Sequence, residues 1–226
     1  MQVPQKNPQM NPATILSLNL KKWLWYLSIP GMTLTILLGI FQLGEPAGFS
    51  ALVGITLLAF TLLPSAFVRL NWWKGNPYLR FLLKYQRDLG IMAGLWFITH
   101  GATSALFFFK RDQPWLEQFK DKALQPTWIM LPVMILLLIT SIKTVQKATG
   151  ATWKKIHSLI WLLPFLMIMH GNLAIAAFEK EDFAPATIVL LLFIIVAFWD
   201  AIKNRTFTRI LLITGGLLLS WMIWWI

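Results

Sequence analysis

The stretch Leu89-Gly90-Ile91-Met92-Ala93-Gly94-Leu95-Trp96-Phe97-Ile98-Thr99-His100-Gly101-Ala102-Thr103-Ser104-Ala105-Leu106-Phe107-Phe108-Phe109 decides the fold. It carries no formal charge, and as a helix rising 1.5 Å per residue it covers about 30 Å, the thickness of a bilayer's hydrocarbon. Six further apolar blocks accompany it, giving the series Trp23–Leu43, Phe49–Val68, Leu89–Phe109, Trp128–Thr144, Ile156–Phe178, Pro185–Phe198 and Ile210–Ile226. Hydrophobic residues make up 57% of the 226 and charged ones 13%. A soluble domain would carry about a quarter charged residues, so an ordinary soluble protein is excluded. The expectation is an all-α polytopic transmembrane helical bundle, with six core spans and a seventh C-terminal span.

Residues 1–20 read as a polar, unstructured cytoplasmic segment with prolines at 4, 8 and 12; 21–205 form the six-helix membrane domain and 206–226 an additional helix. No small-residue cleavage site follows a short apolar core, so the first block reads as a retained span. Lys and Arg alternate between the connections. The N-terminal segment has three, the second-to-third connection five, the fourth-to-fifth four and the sixth-to-seventh three, against none, four and one on the other side. That bias puts the N-terminus in the cytoplasm and, with seven spans, the C-terminus outside.

A net charge of +11 fits this topogenic role and the lipid bilayer's anionic surface better than a nucleic-acid partner, because no basic face on a soluble module gathers it. The absence of cysteine excludes disulfides, iron–sulfur clusters and thiolate-ligated haem. Glu45, Asp88, the Glu179–Asp182 cluster and Asp200 all sit at or beyond block ends. Proton-coupled transport therefore lacks its usual mid-membrane carboxylates.

Histidine is the exception, since His100, His157 and His170 lie within or at the edge of blocks. An intramembrane histidine is costly, and the bland account is a packing residue bonded to a neighbour's hydroxyl or carbonyl. Position along the helices favours function. His157 and His170 are about 20 Å apart on one helix. His100 lies roughly 16 Å and His170 about 21 Å from the basic ends of their blocks, so the two can face each other across parallel helices. Two facing imidazoles suit a six-coordinate haem iron, and a zinc site would need three or four converging ligands.

Gln86-Arg87-Asp88-Leu89-Gly90, with His100 ten residues after the glycine, resembles the R-R-x-L-G…H signature of the ferric-reductase-like transmembrane family. Trp153-Lys154-Lys155-Ile156-His157, followed by His170, resembles that family's W-x-x-L-H…H signature. Size and span number look most like the bacterial MsrQ/YedZ branch, which implies a place in the bacterial inner membrane. The resemblance implies a b-type haem (heme b) membrane subunit, an electron-transfer component of an oxidoreductase system. Its electrons would come from a cytoplasmic flavin reductase or quinol and leave to a periplasmic, outer-face redox enzyme that repairs methionine sulfoxide.

The same pattern implies one haem between His100 and His170, nearer the outer leaflet. Gln86 and Arg87 stand where two-haem members carry a fourth histidine, so a second haem at His157 would need a five-coordinate iron or another ligand. Arg87 suits a haem propionate or the phosphate of a flavin such as FMN, or is a plain positive-inside residue. Trp23, Trp25, Trp72 and Trp73 read as interfacial aromatics, and Met169 as core. The rival readings are a ferric or other metal reductase subunit, and a non-redox assembly or transport module.

Overall fold

The computed structural model describes residues 12–41, 46–73, 75–109, 124–178 and 184–203, together with 210, 214 and 215. Among the described residues every regular element is helical. In chain order they are α1 (Pro12–Phe41), α2 (Pro46–Arg69), α3 (Pro77–Phe109), α4 (Thr127–Thr140), α5 (Lys143–Thr149) and α6 (Thr152–Ser158), then a 3-10 turn (Leu159–Leu162), α7 (Leu163–Phe178) and α8 (Ala184–Lys203). The seventh block, Glu45, the acids of the third-to-fourth connection and the Glu179–Asp182 cluster lie almost wholly outside the described residues.

Several boundaries differ from expectation, each for a local reason. Helix α1 begins at Pro12, inside the segment read as unstructured; proline suits a first helical turn, where its missing N–H is no loss. Helix α3 begins twelve residues before Leu89, because the Asn76 side chain accepts the Tyr78 N–H at 2.8 Å and Pro77 opens the helix. The expected twenty-residue connection thus shrinks to the turn 70–76, where Asn71, Trp73 and Gly75 take positive φ. Helix α8 runs on to Lys203, which gives the short sixth block full length.

Two expected single spans are broken. The fourth block ends at Thr140, where the chain turns through 94° into α5. Thr140 and Ser141 bond their hydroxyls back to Leu136 and Leu137 carbonyls at 2.7 Å, and Ile142 is extended, with ψ 130°. Gly150, at φ 51°, then terminates α5. The fifth block passes through the 3-10 turn just before Pro164, whose ring and missing N–H disturb the preceding α-helical bonding.

By length and apolar composition two described helices can cross a membrane, Ala47–Arg69 and Pro77–Leu106, and the bent α4–α5 pair makes a third if it counts as one span. Their association rests on close packing, since lipid offers no hydrophobic drive for it. Two glycines allow it: a Cβ on Gly54 would lie 2.9 Å from the Phe97 ring, and one on Gly94 2.7 Å from Leu138. Helix α2 packs along α3, α1 and α4 flank α3, and α7 lies between α4 and α8. Leu58, Phe97, Leu137, Trp161, Leu166 and Met169 fill the centre.

Candidate functional site

Helices α2 and α3 run antiparallel, so the first turn of α2 lies beside the latter part of α3. There the His100 ring Nδ1 is 2.8 Å from the Ala47 carbonyl oxygen. A carbonyl can only accept, so Nδ1 carries the proton and Nε2 keeps its lone pair. Ligating histidines are commonly oriented in this way, by a backbone carbonyl on the nitrogen remote from the metal. Thr103 closes the turn by donating its hydroxyl to the His100 carbonyl at 3.0 Å.

Across from it, on α7, stands His170. The two ring centroids are 6.0 Å apart and the planes are inclined at 71°. A shared metal needs about 2 Å on each side plus the rings' own radii, and this separation provides that. The expectation that His100 and His170 meet across two helices is therefore met in position.

The other motif residues gather at the opposite end of the bundle. Arg87 donates from Nε to the Ser141 carbonyl at 2.9 Å. That contact caps the C-terminal end of α4, where a cation also meets the helix dipole, and is a role not anticipated for it. Trp153 donates its indole N–H to the Thr140 carbonyl at 2.9 Å, and its ring lies 4.3 Å from that of His157. His157 in turn places Nε2 3.0 Å from Thr140 Oγ1. That hydroxyl already points at the Leu136 carbonyl, so it accepts from His157, and Nε2 carries the proton.

His157 and Gln86 line a cavity of about 470 Å³ together with Arg69, Lys84, Arg87 and Lys154. The pairing of Arg69 with Asp200 was not expected from the sequence, where Asp200 stood only as an acid at a block end. Asp200 is fully buried on α8 and accepts from Arg69 Nε with both oxygens, at 3.0 and 2.8 Å. Its signal was a basic residue closing the second block and a lone acid closing the sixth, on the same expected membrane side. Trp72 and Trp73 are exposed and pack against Phe67, Trp73 edge-on, as interfacial residues would, while Met169 is buried in the core.

Among the described residues no three His, Asp or Glu side chains converge as a metal cage. Two imidazoles with ring centroids 6.0 Å apart would fit a haem instead, since that group would take only two donors from the protein. No solved structure matches the chain. The family model described as ferric reductase like transmembrane component matches residues 50–170, from the second apolar block to His170 itself. The chain belongs to the ferric reductase-like transmembrane family.

Proposed function

We propose that this protein is the membrane subunit of a redox system, carrying electrons across the bilayer on a b-type haem held by His100 and His170. The observation that supports it most is the pair of rings 6.0 Å apart, one of them fixed by Ala47 with its second nitrogen free. When bound, the haem iron supplies one-electron oxidation and reduction. The protein contributes the orientation of both imidazoles and an apolar surround that excludes water. His157, whose Nε2 proton is spent on Thr140, is left as a structural residue in this reading.

The electron donor is a cytoplasmic flavin reductase or quinol, and the acceptor an outer-face enzyme, with a methionine sulfoxide reductase catalytic subunit as the finer proposal. The family description favours a second acceptor class, ferric iron or another metal ion at the outer face. Reconstitution with each acceptor separates them by which one re-oxidises the reduced protein. The decisive experiment for the carrier itself is a pyridine haemochrome assay on wild type and on the His100→Ala and His170→Ala variants. One haem per chain, absent from both variants, is expected. A colourless wild type that stays colourless after haem addition overturns the proposal.

A further inference from the structure

The Ala47 carbonyl that orients His100 serves two side chains. It accepts the His100 Nδ1–H at 2.8 Å and the Ser50 hydroxyl at 2.9 Å. Ser50 is fully buried on α2, so bulk water does not compete for that hydroxyl. Other hydroxyls of the bundle also bond back to their own helices, as Thr35 does to Gly31 and Thr99 to Leu95. Ser50 differs in its acceptor, because that oxygen is the one that orients His100.

Packing sets the place of this oxygen. Phe49 meets the Trp96 ring edge-on, with centroids 5.9 Å apart, and Trp96 is buried one helical turn before His100. The contact seats the first turn of α2 against α3, so what Ser50 can change is electron density. A carbonyl oxygen offers two lone pairs, and each donor withdraws density from it. The Ser50 hydroxyl therefore weakens the bond from the His100 Nδ1–H. An imidazole whose remote N–H is held less firmly is a weaker electron donor at its other nitrogen. At an iron, a weaker donor favours the ferrous over the ferric state and raises the potential.

We infer that Ser50 is a positioning residue that sets the electron-donating strength of His100 through the carbonyl they share. The redox consequence rests on the haem reading above, and the sharing of the carbonyl does not. Two measurements on the full-length protein in detergent keep them apart. The first is the His100 Nδ1–H proton resonance, read with isotope-labelled histidine and assigned by its absence from His100→Gln. Any bound haem is kept reduced, the diamagnetic low-spin state. Ser50→Ala removes the hydroxyl at nearly constant volume, and the carbonyl keeps His100 as donor, so no buried polar group is stranded. The resonance should move downfield in this variant as the remaining bond shortens. The second is the midpoint potential of the haem. The ratio of ferric to ferrous affinity should rise about threefold in Ser50→Ala, a fall of about 30 mV at about 59 mV per tenfold. Ser50→Cys, with its weaker S–H donor, should fall between wild type and Ser50→Ala in both. Thr99→Val removes a buried hydroxyl bonded to the Leu95 carbonyl and should change neither. An unmoved resonance in Ser50→Ala overturns the proposal, and so does a moved resonance with an unmoved potential. A wild type that binds no haem overturns the haem reading instead, and the resonance then decides the role of Ser50 alone.

Discussion

His100 and His157 are the same residue type at opposite ends of one bundle, and they spend their ring nitrogens in opposite ways. His100 ties Nδ1 to a backbone carbonyl on α2 and keeps the Nε2 lone pair, with its ring 6.0 Å from that of His170. His157 ties Nε2 to Thr140 and stacks on Trp153, so its more reachable nitrogen is occupied. Capacity to ligate therefore follows from which nitrogen the fold has already engaged, and spacing along a helix does not reveal that. His100 keeps one ring nitrogen open beside His170, while the residues at the basic end are mostly engaged with one another.

The largest effect that can break this contrast is on haem content. If the proposed haem is held by this pair, His100→Ala and His170→Ala should each lower haem binding by more than about tenfold, as removal of a ligand does more than the loss of a supporting bond. His157→Ala should leave it within about twofold, because its imidazole is already engaged. Absorbance at the Soret band against protein concentration checks all three. A deep loss in His157→Ala would abolish the distinction between the two ends.

The next effect is on stability, and it should fall on the basic end. Arg69→Leu leaves the fully buried Asp200 carboxylate without its counter-charge and should cost about 3–5 kcal/mol. Asp200→Asn should cost less, about half of that, because the Arg69 side chain is 31% exposed and water can reach it. Thermal unfolding of the solubilised protein orders the two. The reverse order would mean that the guanidinium, rather than the carboxylate, is the member stranded by separation.

Gly54→Ala probes the His100 end of the bundle by packing alone. The added methyl would lie 2.9 Å from the Phe97 ring, one helical turn before His100, and overpacking of this kind costs about 1–3 kcal/mol. Thermal unfolding measures the cost. With the proposed haem bound, low-temperature electron paramagnetic resonance should show a broadened signal as α3 shifts against Ala47. An unchanged signal would uncouple the packing of α2 on α3 from the orientation of His100.

How far the sequence reached differs between these ends for physical reasons. The facing of His100 and His170 was legible because helical rise is fixed, so depth can be counted from the basic flank of each block. The early start of α3 was also written there, in Asn76-Pro77, but the charges of Arg80, Lys84 and Arg87 disguised a helix as a loop. The 94° turn after Thr140 was not legible, because hydroxyls that bond back to their own helix occur in straight helices too. The Arg69–Asp200 pair joins residues 131 apart, and which of several charges at one membrane face will pair is decided by the packing of α8 on α2.

The smallest effect sharpens the contrast most. Thr140→Val keeps volume and removes the hydroxyl that accepts from His157 while it donates to Leu136. His157 is only partly buried, so water can replace the lost partner, and the cost should be about 0.5–1.5 kcal/mol. The haem spectrum is the more telling measurement. If His157 serves only to tie α6 to the end of α4, releasing its Nε2 leaves the Soret and visible bands of the haem proposed at His100 and His170 unmoved. If the hydroxyl instead restrains a latent ligand, Thr140→Val should add a second haem on titration with hemin, because the released nitrogen then faces the cavity beside it. A single equivalent in both wild type and variant upholds the separation of roles between the two ends. A second equivalent in the variant alone would show that one hydrogen bond maintains it.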